Sequence, residues 1–505
     1  MRILIIAIFL LFQFWNNAQY SYSNTYFVSN NGSDDALGSI NAPLKSIQMA
    51  VNKSKPGDLI IIRGGVYRET VTIAGINKTN ISLSAFSNER PLLKGSEVIT
   101  KWSPAGQYWK KYLSVQPQQV MVNGDHPLQQ IGYPNKNYVN DRKVEKYKFP
   151  TGAGLGDIKS GRFYWKNDTL YIWPLNNVNP NSETIEVSQR EHILTILADG
   201  VHLKGLFFRY SNVNTFTEQG AAVSLGPNSV IEDCDVQWGD FVGIAMASGS
   251  KAYHCNASNN GAVGIAANVC NNFLVSGCKA NHNNYRNFYA QWHAGGLKAT
   301  NASWGTIEKS EFAFNNGSAI WLDYCFQQDK YRAGGEKPFY ISSNYIHDNS
   351  KTSNKNPAIA LEMSEDVTVR NNILLRNEYR GIYLSASWDC NVLNNTVAYT
   401  KGHFAIDLAG MSRTGESRAK LANNRIFGNI ISNNDTDVDL EILPDNGTNI
   451  TNNFSDNNII HRDNGKIILE SGSTYNNLAD WKNATRFDHS STSRKLSATD
   501  TLQRQ

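Results

Sequence analysis

The chain contains no Cys-x-x-Cys pair, no second long apolar run and no cluster of basic residues. Its six cysteines (Cys234, Cys255, Cys270, Cys278, Cys325 and Cys390) therefore lack the spacing of a zinc site. Lysine and arginine exceed aspartate and glutamate by only four charges, spread along the chain, which argues against a nucleic-acid partner. Past the N-terminus nothing is apolar enough to cross a bilayer. Helical periodicity is absent from most of the chain. Aromatics are abundant (11 Trp, 23 Tyr, 21 Phe), and so are Asn and Gly, a mixture that suits a turn-rich β protein. At 505 residues the chain can bury a large core, as several domains or as one repeat array.

The first residues read as an export signal. Arg2 precedes an apolar run from Ile3 to Trp15, and the small residues Ala18, Ser21 and Ser23 follow. A signal over 1–23 implies a secreted, periplasmic or cell-surface protein with no membrane span after removal; an uncleaved anchor is the alternative. Export permits disulfides, but three of the cysteines recur in a repeat.

Cys234, Cys255 and Cys278 hold the same place in Ile231–Val236, Ala252–Ala257 and Val275–Ala280. The pattern continues through Ser310, Asn344, Asn372, Asn395 and Asn429, at spacings of 21, 23, 32, 34, 28, 23 and 34 residues. A period near 22 with longer excursions is the mark of a solenoid whose coils carry loops. Short β-type runs between Asn, Gly and Ser make it an all-β fold, a right-handed parallel β-helix. Like residues then stack on like at about 4.8 Å. Asn344, Asn372, Asn395 and Asn429 become a ladder of buried, mutually bonded amides, and the cysteines a buried apolar stack, with oxidation of two coil-to-coil neighbours as the alternative.

The expected organisation follows. Residues 24–97 form an N-terminal cap and first coils, with a helix over Pro43–Lys53 closing the open end before a strand at Asp58–Ile62. Residues 98–190, rich in Trp102, Trp109, Tyr112, Phe163–Trp165 and Leu170–Trp173, break the rhythm and read as an inserted antiparallel β subdomain. Residues 191–440 carry the coils, and 441–505 a C-terminal cap, including a short helix near Leu478–Asn483, and a polar tail.

One strand per coil gives the segments Gly295–Lys298, Ala319–Asp323, Ala358–Glu362, Gly381–Ser385 and Ala405–Ala409. With Ile and Leu inward, Lys298, Trp321, Asp323, Glu362, Tyr383, Ser385 and Asp407 point outward. Aligned by their last charged position, Lys298, Asp323 and Glu362 form one column. Two carboxyls on adjacent coils would stand roughly 5 Å apart, the separation of retaining glycoside hydrolysis. Their repulsion favours a protonated acid beside an ionised nucleophile, and Lys298 favours the ionised Asp323. Trp321 and Tyr383 are candidates to stack on sugar rings, with His293, Trp292, Arg380 and Asp407 as further binding residues. The plainer alternatives are a solvated charge ladder, a loop histidine, an exposed structural arginine and polar surface. The run Asn30–Asp35 is a turn or an incomplete calcium loop.

The segments Ala319–Asp323, Leu361–Ser364 and Val369–Asn372 resemble the catalytic region of glycoside hydrolase family 120, and are similar to family 141. The resemblance implies a β-helical enzyme with Asp323 as nucleophile and Glu362 as acid/base. Met363–Asp366 stands where family 120 has His-Gly-Pro, and Ala319 where Gly is usual.

The expectation is a secreted, monomeric glycoside hydrolase acting on a plant or algal polysaccharide or its oligosaccharides, with no cofactor. The alternatives are a polysaccharide lyase or uronate epimerase, with Lys298 as base and calcium held by Asp323 and Glu362, or a non-catalytic glycan-binding solenoid.

Overall fold

The computed structural model describes residues 23–131, 154–213, 220–326, 338–350, 355–410 and 416–495. The expected export signal, save Ser23, and most of the polar tail fall outside these residues.

The chain winds into a parallel β-helix. One face is a 13-stranded sheet running from Thr25–Val28 to Phe454–Asp456. A second 13-stranded sheet runs from Val71–Ile73 to an antiparallel pair at Leu469–Glu470 and Thr474–Tyr475. The third face is divided into sheets of four and six strands. Alternation along each strand builds the core. Ile244, Ile265, Leu297, Ile320, Ile359, Ile382, Ile406, Leu440 and Leu469 are successive register partners on the second sheet. All are buried, so each coil supplies its neighbours with an apolar floor and ceiling.

The turns are held by amide ladders. Asn344 Nδ2 donates to Asn372 Oδ1 at 2.9 Å, Asn372 to Asn395 at 3.0 Å, and Asn395 to Asn429 at 3.1 Å. Toward the N-terminus the column changes to Ser310, whose Oγ accepts from Cys278 N at 3.0 Å, and then to Cys278, whose Sγ accepts from Cys255 N at 3.4 Å. All six thiols are free and buried. A second ladder runs beside the first through Asn260, Asn283, Asn315, Asn349 and Asn377.

The N-terminal helix spans Ile47–Lys53 rather than starting at Pro43, because Leu44 is already bridged to Val28 in the sheet. Ser46 caps it, accepting from Met49 N, and Ile47, Ala50 and Val51 turn into the core. Asp34 accepts from the Lys45 and Ser46 backbone N–H groups and from Ser46 Oγ, so its carboxylate braces the helix entry.

Between Ser96 and Ser188 lie a three-stranded antiparallel sheet and a five-stranded, mostly antiparallel one. They share a core of Trp102, Val120, Phe163, Leu170, Ile172 and Val187. Arg68 and Lys94, at the base of this unit, both pair with Glu186, at 2.8 and 2.7 Å.

Parallel pairing does not stop at residue 440. Phe454–Asp456 and Ile459–His461 extend two sheets, and the helix Leu478–Ala484 then seats Trp481 on the exposed end. The polar sequence there misleads because Asn458 prolongs the first ladder, accepting from Asn429 at 3.1 Å, and Asn453 accepts from Asn424 at 3.0 Å in a further column above Cys390. Amide stacking carries the coil on with little apolar content.

Candidate active site

The site lies on the second sheet, over the strands Gly295–Thr300, Ser318–Asp323, Pro357–Glu362 and Glu378–Ser385. Asp323 is the register partner of Glu362 on the next coil. Neighbouring backbones in a sheet are about 4.8 Å apart, so the two carboxyls rise from adjacent positions.

Lys298 is not in their column. Its register partner is Trp321, and Thr300 stands opposite Asp323. The strand continues two residues beyond Lys298, so the charged position is not its last. Gly295, at φ +129°, lets this strand pass close to its neighbour: a Cβ there would meet Ser318 O at 2.0 Å. The ammonium nevertheless reaches the carboxylate diagonally. Lys298 Nζ lies 3.1 Å from Asp323 Oδ2, sits 3.6 Å above the Trp321 ring and donates to the Trp292 carbonyl. Trp321 Nε1 in turn donates to Glu362 Oε2 at 2.9 Å. A lysine, an indole and two carboxyls therefore form one connected group.

The outward row explains the hollow beside them. It reads Lys298, Trp321, Ala360, Tyr383 and Asp407 across successive coils. Ala360 places a methyl between two large rings, leaving a cavity of about 430 Å³. Its walls include Trp292, Trp321, Tyr379, Tyr383 and Arg380, with Lys355, Asn356 and Pro357 from the loop entering the Glu362 strand. On the N-terminal side the groove is closed: Phe241 and Phe288 pack with Val242, Val263 and Ala266 and bury the outer face of the earlier coils.

Trp292, Trp321, Tyr383 and Arg380 line the cavity, but two candidates do not. His293 is buried behind it, its ring 5.4 Å from that of Phe241. Burial, with the Lys298 charge adding, pushes its pKa down to about 3. It is a neutral packing residue, because the short helix Ala290–His293 turns it inward while Trp292 faces the cavity. Between pH 6.5 and 3 the unfolded chain binds a proton at this position that the folded chain does not, so stability falls as pH drops through that window. Replacing His293 by Phe is expected to flatten this part of the curve of melting temperature against pH; an unchanged slope would place His293 in contact with water.

Asp407 is also buried, beneath the cavity rather than in it. Its Oδ2 lies 2.7 Å from Arg380 Nε, so it positions that arginine. The Arg380 guanidinium lies 4.5 Å from the Tyr383 ring centre, 4.6 Å from Tyr379 and 5.2 Å from Phe404. Beyond Asp407, its register partner Glu441 has a pKa raised to about 8, first by burial and then by the nearby Asp407 and Glu470 carboxylates. Among the described residues, no three His, Cys, Asp or Glu side chains are grouped to hold a metal ion.

Sequence reasoning did not find Ser318, Lys355, Asn356 or Tyr379, which sit at strand entries where coil lengths differ. Glu441 was legible in principle, two coils after Tyr383 in the same outward row.

The fold and its repeating turns define a solenoid of stacked coils. The family model described as a right handed beta helix region matches residues 195–328 and 287–478, more than half of the chain, and the chain belongs to this family. A stretch is 41% identical over 176 residues to pectate lyase PEL9 of Emericella nidulans, covering 30% of this chain and 40% of that protein. The match thus spans well under two thirds of that relative's length. Among solved structures, that of XylC with xylose aligns with a TM-score of 0.60 at 17% identity, over 80% of this chain and 75% of the other. A structure titled as a glycoside hydrolase aligns with a TM-score of 0.56 at 12% identity, over 85% and 96%. At these identities the two structures speak to shared architecture alone.

Proposed function

We propose that the protein is a carbohydrate-active enzyme, a retaining glycoside hydrolase. The observation that carries this reading is the pairing of Asp323 with Glu362 on adjacent coils at the mouth of an aromatic-walled cavity. Asp323, beside the Lys298 ammonium, attacks the anomeric carbon and forms a glycosyl ester. Glu362, oriented by the Trp321 indole N–H, gives its proton to the departing oxygen. In the second step the Glu362 carboxylate takes a proton from water, which attacks the same carbon and releases Asp323. Trp321 and Tyr383 flank a sugar ring seated over Ala360.

Proton NMR of the first-formed product tests the assignment. Retention of anomeric configuration is expected; inversion would remove Asp323 as nucleophile. The apolar run at Ile3–Trp15 makes export the matching localisation.

The likeness to a pectate lyase favours a second reading, β-elimination with Lys298 as base. Against it, the Lys298 ammonium is engaged by a carboxylate, a carbonyl and a ring face, all of which suit a cation better than a free amine. A calcium-assisted version would draw on Asp323 and Glu362, and among the described residues no third acidic or histidine side chain is grouped with them. Elimination leaves an unsaturated sugar that absorbs in the ultraviolet. Its appearance, with no water incorporated, would select the lyase.

A further inference from the structure

The cavity has two chemically different ends. Asp323 and Glu362 occupy one. At the other, the Lys355–Pro357 entry faces Arg380, the register partner of Pro357. Two buried polar groups at this end have no hydrogen-bond partner among the described residues. Asn356 Nδ2 belongs to a side chain only 4% exposed, and Ser318 Oγ to one 1% exposed. Both residues line the cavity. Buried donors are ordinarily satisfied, so two left idle in residues that line an open space point to an absent acceptor.

Arg380 completes the set. Asp407 engages it from beneath, at Nε, and three rings fix its plane. Its terminal nitrogens make no hydrogen bond among the described residues. A guanidinium held in this way presents a rigid fork suited to two oxygens of one group. Lys355, exposed at the rim, adds a second cation. Among the described residues that line the cavity, the carboxylates are Asp323 and Glu362, at the opposite end.

We infer that this end of the cavity binds an anionic substituent on the sugar, a carboxylate or a sulfate, with Arg380 and Asn356 as specificity determinants. The inference rests on the reading of the cavity as a sugar site, but not on which bond is cleaved there.

Calorimetric titration of the whole protein with glucuronate, galacturonate, glucose 6-sulfate, glucose and glucuronate methyl ester provides the test. The anions are expected to bind about tenfold or more tightly than glucose or the ester, as for hydrogen bonds to a charged group. The tighter of the carboxylate and sulfate arms identifies the substituent. Arg380→Met and Asn356→Leu should each reduce the preference while leaving weak binding of glucose. Should Arg380→Met fail to fold, Asn356→Leu and the acid–ester comparison on the unaltered protein still decide. Equal binding of charged and neutral probes, a preference that survives both substitutions, or binding of none of the probes overturns the inference. Binding needs no turnover, so the two proposals fail separately. Anion preference without hydrolysis sinks the hydrolase alone, and hydrolysis of neutral glycosides without anion preference sinks this inference alone.

Discussion

Asp323→Asn is expected to lower kcat by roughly 10⁴-fold, the scale seen when one member of a catalytic group is removed. Glu362→Gln should behave differently. On substrates with a poor leaving group it should cost about 10²–10⁴-fold, the usual contribution of general acid catalysis. On an aryl glycoside whose leaving group needs no protonation, bond cleavage should stay fast and the glycosyl ester accumulate, seen as a burst of phenol. Azide should then restore turnover of Glu362→Gln and yield a glycosyl azide of retained configuration, because a small anion needs no general base. The contrast follows from geometry: Asp323 sits against Lys298 and Glu362 against the Trp321 indole, so the two carboxyls are not interchangeable. Full activity in Asp323→Asn, or an identical response of both variants to leaving group and azide, would end the assignment.

Asn372→Leu should be the most damaging single substitution in the solenoid wall. Asn372 Oδ1 accepts from both the backbone N–H and the Nδ2 of Asn344, each at 2.9 Å. Its own Nδ2 donates to the Ile341 carbonyl, also at 2.9 Å. Leucine has a similar size but orphans the Asn344 N–H and removes one bond each from the Ile341 carbonyl and from Asn344 Nδ2, which keeps the Ile307 carbonyl at 3.0 Å. With about 1–3 kcal/mol for the orphaned N–H and about 1 kcal/mol for each of the other two bonds, the loss should be on the order of 3 kcal/mol. The urea midpoint should fall with little change in slope. Asn371→Gly, one residue earlier on the exposed turn where φ is 54°, is the control and should change stability by less than about 1 kcal/mol. Similar midpoints for the two variants would show that the ladder contributes nothing beyond its turn.

Much of the architecture was legible because a solenoid writes its period into the chain. The cysteines at 234, 255 and 278 and the asparagines from 344 onward mark one turn, and the structure stacks them as that spacing implies. The second ladder was equally available and went unread. Asn260, Asn283, Asn315, Asn349 and Asn377 each follow a member of the first column by five residues. Register was harder. Lys298 fell two positions out because a Gly-Gly pair offers no side chain to anchor an alignment. His293 and Asp407 were misplaced for a related reason. Their burial is set by what covers the sheet, by Phe241 in one case and by the next coil and Arg380 in the other, and such cover comes from distant sequence. The entry loop at Lys355–Pro357 was missed because coil length varies there, and a period says nothing of its own interruptions.

Along Ile320–Asp323, odd and even positions answer to different demands. Ile320 and Leu322 hold the tower upright, while Trp321 and Asp323 meet whatever arrives from outside. Two texts are thus interleaved in one strand, and either can be edited without rewriting the other. A library confined to the outward letters of a few rungs could explore new reactivity on an intact scaffold. Divergence in nature has the same latitude, which is how a shared tower can come to host unlike chemistries.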